Sequence, residues 1–155
     1  MSTLSGEVRG RPAVVQTPSP ASGVARGAYI LADTAAAKPD VVLIATGSEV
    51  SLAAQAHEQL VTQGIRSRVV SMPSWDIFDH QAQEYRDSVL PPNISARVAI
   101  EQASTFGWER YVGRSGRMIG MKTFGASAPL KELQRKFGFE PNRVVTAAKE
   151  LLGRN

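Results

Sequence analysis

The fold of this chain is decided by residues 41–50, which read VVLIATGSEV. The apolar run Val41–Ala45 ends at a Thr-Gly-Ser turn, and a helical pattern begins directly after it. An uninterrupted apolar run of this length is typical of a strand that is buried on both faces, as in a parallel sheet covered by helices. The turn residues Thr46, Gly47 and Ser48 then lie between the carboxyl end of that strand and the amino end of a helix. Ligands usually bind at such corners in open α/β sheets, so this corner is our first candidate site.

The helix that follows the corner has a clear apolar face. Its apolar positions recur with helical spacing at Val50, Ala53, Ala54, His57, Leu60 and Val61. Thr46 and Glu49 have the spacing of a capping box, and Gly64 suits the left-handed position that closes a helix. Because His57 lies within the apolar face, we expect a core or interface histidine rather than a ligand.

Further strands and helices alternate along the rest of the chain. We expect strands at 28–32, 68–72, 96–100 and 117–121, and helices at 49–63, 75–78, 81–90, 105–112, 128–137 and from 144 onward. Ser74 is expected to cap the helix that begins near Trp75. Strands separated by helices indicate an α/β domain with helices on both faces of a mainly parallel sheet.

The first 22 residues differ in character from the rest. They are rich in Pro, Ser, Thr and Gly, and their main apolar stretch is residues 13–15. Such a composition favours a flexible tail or linker. We therefore expect a tail at 1–22 and one domain at 23–155.

Composition limits the chemistry that this chain can carry. Its 155 residues contain no cysteine, which excludes disulfides and thiolate chemistry. The two histidines, His57 and His80, are far apart in the sequence, and this argues against a metal site. The net charge of +4 comes from basic and acidic residues that alternate along most of the chain, so we expect no nucleic-acid partner. Without a membrane-length apolar run or a signal-peptide pattern, a cytoplasmic protein is expected.

The corner at residues 46–48 has two interpretations. Backbone N–H groups and the helix dipole favour an anion there, which makes Thr46, Gly47 and Ser48 candidate anion ligands. Against this, the sequence contains neither G-x-G-x-x-G nor a phosphate-binding G-x-x-x-x-G-K-[ST] motif, and Glu49 itself occupies the first helical turn. A plain helix cap is the favoured interpretation.

Large aromatic residues follow the predicted fourth strand of the domain. Phe106 and Trp108 flank Gly107, and Tyr111 lies one turn further on. Such residues either close a core or form the centre of a subunit contact. Both roles stay open, and Phe106 and Trp108 are our candidate interface residues.

Several longer stretches carry a family resemblance. They are VARGAYILAD at 24–33, IATGSEV at 44–50, RVVSMPSW at 68–75, STFGW at 104–108 and FGASAP at 124–129. In this order, they make the chain from about Gly23 to its end resemble the carboxyl-terminal domain of transketolase. The resemblance implies a three-layer α/β/α sandwich around a mixed five-stranded sheet whose first strand is antiparallel. It thus revises the parallel orientation expected for strand 28–32.

The resemblance also implies a function for the complete enzyme. Transketolases move a two-carbon ketol unit between sugar phosphates in the pentose phosphate pathway. They use thiamine diphosphate and a divalent metal (Mg²⁺ or Ca²⁺) and act as homodimers of three-domain subunits. The family's cofactor-binding G-D-G motif is missing here. Where the family usually has Leu-Ser-Arg-Gln, whose arginine contacts substrate phosphate, this chain reads LSGE at 4–7. We therefore assign no catalytic, cofactor-binding or metal residue to this chain.

Three hypotheses follow for the chain itself. As a transketolase carboxyl-terminal domain, it would be inactive alone and would support packing and dimer assembly with the remaining domains. Alternatively, it is one subunit of a split transketolase whose partner carries the cofactor domains. A third hypothesis is an anion- or metabolite-binding regulatory module that uses the corner at 46–48. None of these involves a membrane.

Overall fold

The computed structural model describes residues 14–16, 23–34, 38–47, 49–101, 107–120 and 141–154. Its strands are β1 (Val14–Gln16), β2 (Tyr29–Thr34), β3 (Val41–Ala45), β4 (Ser67–Ser71), β5 (Arg97–Glu101) and β6 (Arg117–Gly120). Its helices are α1 (Glu49–Thr62), α2 (Trp75–Asp79), α3 (Gln83–Val89), α4 (Glu109–Val112) and α5 (Pro141–Leu151). The helix expected at 128–137 lies outside the described residues. No helix in the described ranges is both long enough and apolar enough to span a bilayer.

The strands form one mixed sheet in the order β1-β2-β4-β3-β5-β6. Strands β4, β3, β5 and β6 are parallel to their neighbours, whereas β2 pairs with β4 in the antiparallel sense. The mixed five-stranded sheet with an antiparallel first strand, which the resemblance implied, is thereby confirmed for the domain. The mainly parallel orientation expected from the sequence pattern alone was wrong for β2.

A short additional strand, β1, extends the sheet beyond β2. It lies within the segment that we expected to be a tail, and it pairs antiparallel with β2, with Val14 opposite Thr34 and Gln16 opposite Ala32. Two valines have high β-propensity, and the outer edge of β2 offers them unpaired backbone groups. The other residues of segment 1–22 lie outside the described residues.

Strand β3 lies at the centre of the sheet and is buried on both faces. All five of its residues have 0% relative exposure. Because side chains alternate across a strand, Val41, Leu43 and Ala45 pack with α1 and α5 on one face. Val42 and Ile44 pack on the other face, with residues of α2, α3 and α4. This arrangement gives the three layers of the expected sandwich.

Helix α1 ends as its sequence predicts. Gly64 has a φ of 79°. Its N–H donates to the carbonyl of Val61 at 3.0 Å, and the N–H of Ile65 donates to the carbonyl of Leu60 at 2.9 Å. These two bonds form a Schellman motif, which brings the chain back toward β4.

His57 of α1 is a core residue. Its side chain is 2% exposed, and its Nδ1 lies 2.5 Å from the Oγ of Ser67 in β4. The carbonyl of Ser67 in turn accepts a hydrogen bond from the Oγ1 of Thr34 at 2.9 Å. Within the part of the chain that the structure describes, the Nε2 of His57 has no hydrogen-bond partner. The imidazole therefore ties α1 to the sheet in an apolar environment that favours its neutral form.

The stability of the chain should fall as the pH is lowered below about 6.5. Burial lowers the pKa of His57 from its ordinary value of 6.5, and the charges of Asp33 and Glu58 oppose this only in part. The unfolded chain then binds a proton that the folded chain does not, and each pH unit can remove up to about 1.4 kcal/mol. Urea unfolding at pH 7.5 and 5.5 measures this loss. The variant His80→Asn, which replaces an exposed histidine, should show the same loss of stability at low pH. If His57→Gln also showed the full loss, His57 would not be its cause.

A methyl group added at Gly27 should destabilise the fold more than one added at Gly153. Both residues have positive φ, 86° and 67°, which costs a non-glycine residue about 1 to 2 kcal/mol. A Cβ at Gly27 would also contact the backbone N of Phe78 and lie 2.5 Å from the carbonyl of Ser74, whereas one at Gly153 meets nothing within 4 Å. We expect Gly27→Ala to cost about 1 to 3 kcal/mol more than Gly153→Ala in chemical denaturation. Equal costs would show that the start of α2 adjusts without strain.

Candidate functional site

The corner after β3 lies where the chain connections diverge. From β3 the chain passes through α1 to β4 on one side, and from β5 it passes to β6 on the other side. Such a switch point is the usual ligand crevice of an open α/β sheet. Here Gly47 has a φ of 60°, and the N–H of Glu49 donates to the carbonyl of Thr46 at 3.2 Å. Ser48 lies outside the described residues.

The Glu49 carboxylate lies at this corner. Glu49 is 6% exposed, and its Oε2 is 3.6 Å from the position that a Cβ on Gly47 would take. A carboxylate in the first turn already interacts favourably with the helix dipole, and it repels a second negative charge. This geometry supports the cap interpretation of the corner. The anion-binding role of Thr46, Gly47 and Ser48 stays a prediction.

Trp108 belongs to an aromatic cluster in the core. Its ring lies 4.9 Å from that of Trp75 in an edge contact and 5.9 Å from that of Tyr111. With 1% relative exposure, Trp108 is among the largest fully buried side chains in the described ranges. Of the two roles that the sequence left open, the structure supports core closure for this residue. Its role as an interface residue stays a prediction, and Phe106 lies outside the described residues.

A polar contact borders this aromatic cluster. The hydroxyl of Tyr111 donates to the Oδ1 of Asp79 at 2.9 Å, and the Nη2 of Arg110 donates to its Oδ2 at 2.5 Å. Burial raises the pKa of Tyr111, and the hydrogen bond and charge of Asp79 raise it further. The Arg110 guanidinium also lies over the rings of Trp75 and Tyr111, at 5.9 and 5.3 Å. Sequence reasoning missed this group, because Asp79 is far in sequence from its partners.

A cleft opens beside these residues. It has a volume of about 420 Å³ and lies between α2, α3, α4 and the start of β5. Its lining combines apolar side chains with charged ones: Phe78, Asp79, Gln83, Arg86, Asp87, Leu90, Pro92, Arg97, Arg110 and Tyr111. Nothing in the sequence pattern indicated this cleft, since its walls come from four separate segments.

Arg97 holds one wall of the cleft together. Its guanidinium donates to the carbonyls of Ile94 at 3.0 Å, Tyr111 at 2.6 Å and Pro91 at 2.8 Å. Burial lowers the pKa of Arg97. With a further, longer bond to the carbonyl of Leu90 at 3.4 Å, hydrogen bonds to four carbonyls compensate part of the cost of burying the charge, so this residue is mainly structural.

The described residues do not form a metal site. No group of three or more His, Cys, Asp or Glu side chains comes together within the described ranges. His57 is enclosed by the core, and the exposed His80 follows the last residue of α2, where its Nδ1 is 2.7 Å from the carbonyl of Asp76.

Comparison with known proteins gives consistent matches. The family model for the transketolase-like TK C-terminal domain matches residues 27–140. Transketolase 2 of Vibrio parahaemolyticus is 54% identical over 129 residues, which are 83% of this chain and 19% of that protein. A chloroplastic transketolase of Craterostigma plantagineum is 50% identical over 131 residues, which are 84% of this chain and 25% of that protein. The chain therefore spans only about a fifth to a quarter of these relatives.

Solved structures show the same relationship. The transketolase from Leishmania mexicana is 42% identical with a TM-score of 0.78, covering 88% of this chain and 19% of that one. A structure described as a split gene transketolase, inactive beta4 tetramer, shares the fold at a TM-score of 0.62. It is 20% identical and covers 81% of this chain and 42% of its own.

Replacing Trp108 should destabilise the chain by itself. We expect Trp108→Ala to cost about 3 to 5 kcal/mol, because it leaves a large cavity in the aromatic cluster. Ile77→Ala is the control, since Ile77 is 41% exposed and its loss should cost under about 0.5 kcal/mol. Urea unfolding followed by far-UV circular dichroism measures both. A Trp108→Ala chain as stable as the parent would instead favour the interface role.

Proposed function

This chain belongs to the transketolase-like C-terminal domain family, and we propose that it acts as the carboxyl-terminal domain of a transketolase. The complete enzyme would transfer a two-carbon ketol unit between sugar phosphates in the pentose phosphate pathway. The chain itself would contribute packing and assembly rather than catalytic groups. The observation that carries this proposal is the family match over residues 27–140, together with relatives that share about half of its residues and are transketolases.

The described residues do not fit the cofactor of this enzyme class. Thiamine diphosphate and a divalent metal (Mg²⁺ or Ca²⁺) supply the chemistry of ketol transfer. A metal-bound diphosphate needs clustered oxygen ligands and an anion-binding surface. The described ranges contain no cluster of three potential metal ligands, and the Glu49 carboxylate disfavours a diphosphate at the corner. We therefore place the cofactor in other domains and derive no reaction step for this chain.

The partner that we propose is the remainder of a transketolase. Since the chain matches only 19% to 25% of these relatives, the cofactor domains belong either to the same polypeptide or to a separate subunit. The split gene transketolase shows that one protein of this fold occurs as a beta4 tetramer described as inactive. A homodimeric complete enzyme and a cytoplasmic location are further parts of the proposal.

The purified 155-residue chain should show no ketol transfer, because the part of it that the structure describes holds no group of residues that fits the cofactor. A coupled assay with a ketose phosphate donor, an aldose phosphate acceptor, thiamine diphosphate and Mg²⁺ measures this. The proposal would be overturned if the chain alone gave turnover and if depleting the chain from the assay abolished that turnover.

A positive test uses the relative with 54% identity. The Vibrio parahaemolyticus transketolase 2 is truncated before its carboxyl-terminal domain, and the truncated enzyme is mixed or co-expressed with this chain. We expect a stable complex by size-exclusion chromatography with light scattering. Gly27→Ala should weaken it only as far as it unfolds the chain, which circular dichroism of the same samples reports. The assembly role would be contradicted if this chain did not bind the truncated enzyme as a separate chain and also did not pack against it when the two were fused.

A further inference from the structure

We propose that the cleft between α2, α3, α4 and the start of β5 binds a small oxyanion ligand, carrying a phosphate or carboxylate group, through Arg86 and Arg110. This inference goes beyond the proposed function, because it assigns the chain a ligand of its own. The cleft is also a different site from the corner at 46–48. Arg97 begins β5, whereas the corner follows the end of β3, and the two strands are parallel. The cleft and the corner therefore lie toward opposite ends of these strands.

The size and lining of the cleft suit a small organic molecule. Its volume of about 420 Å³ lies within the range of small-ligand sites. Phe78, Leu90, Pro92 and Tyr111 supply apolar surface, and the charged side chains come from the surrounding helices and, for Arg97, from β5. Six of the ten lining residues are polar or charged, so the cleft suits a polar ligand rather than an apolar one.

Two arginines in the cleft have donors to spare. Arg110 uses its Nη2 to bind Asp79, and Arg86 uses its Nη2 to donate to the Oε1 of Gln83 at 2.8 Å. Among the contacts of the described residues, the Nη1 groups of both arginines make no hydrogen bond, and the buried Nε of Arg86 has no partner. A guanidinium presents a planar fork that matches the two oxygens of a carboxylate or phosphate.

The acidic residues of the cleft are already engaged. Asp79 accepts from Arg110 and Tyr111, and Asp87 accepts from the Nε2 of Gln83 at 2.6 Å. Three arginines and two aspartates line the cleft, so the balance of charge is positive. Unused donors with excess positive charge favour an acceptor-only group such as an oxyanion over a metal cation.

The orientation of Arg110 gives the site rigidity. Its guanidinium is held on one side by Asp79 and lies over the rings of Trp75 and Tyr111. A pre-positioned donor loses less conformational entropy on binding than a mobile surface arginine does. The same contact provides an optical signal, because Trp75 and Trp108 are the two tryptophans of the chain and lie together.

The test is a titration of the full 155-residue chain with inorganic phosphate at constant ionic strength. Tryptophan fluorescence and isothermal titration calorimetry report binding. We expect a saturable response, with Arg86→Gln and Arg110→Gln each weakening binding about tenfold or more. Arg114→Gln is the matched control, because it removes the same charge from an exposed arginine outside the cleft. Circular dichroism verifies that each variant is folded.

Additional variants and ligands distinguish specific binding in the cleft from non-specific electrostatic attraction. Arg110→Lys keeps the charge but loses the planar fork, so it should bind with intermediate affinity. Citrate in place of phosphate distinguishes a carboxylate preference from a phosphate preference. No saturable response to either anion at millimolar concentrations would overturn the proposal. So would equal weakening by Arg114→Gln, or unchanged binding in both cleft variants.

Discussion

The structure depends on the burial of β3 on both faces. Each of its five residues has 0% exposure, so neither side of the strand reaches water. Burying a large aliphatic side chain contributes about 1.5 to 3 kcal/mol, and this gain requires a complete layer of helices on each side of the sheet. Helices α1 and α5 provide one layer, and α2, α3 and α4 contribute to the other. The corner at Thr46 and the cleft beside α3 both exist because chain segments must leave the sheet to form these layers.

Local signals predicted those parts of the fold that depend on neighbouring residues. The run Val41–Ala45 coincides with β3, Gly64 closes α1 by a Schellman motif, and Ser74 caps α2 with its side chain. In each case the physical cause lies within a few residues of the signal. The antiparallel direction of β2 could not be predicted in this way, because the residues of a strand do not indicate the direction of the neighbouring strand. That orientation was predicted correctly only through the family resemblance.

The candidate sites show the same division. Thr46 and Gly47 lie where the sequence placed them, at the carboxyl end of β3, yet the buried Glu49 carboxylate favours a cap there. Trp108 was a candidate interface residue, but it contacts Trp75 from a different segment, and that contact supports the core role; the interface role stays a prediction. The contact of Asp79 with Arg110 and Tyr111, and the cleft beside it, depend on long-range packing. No local pattern reports such packing.

The central burial of β3 also bears on the proposed role of this domain within a larger enzyme. In the described part of the chain, helices pack on both faces of the sheet, so this domain has a hydrophobic core of its own. Trp108 and His57 contribute to that core, and substitutions there act on folding. Arg86 and Arg110 line the cleft and are not themselves buried core residues, and substitutions there are proposed to act on binding. Because the two cleft arginines are different groups from the buried Trp108 and His57, loss of folding and loss of ligand binding can be measured as separate properties of one domain.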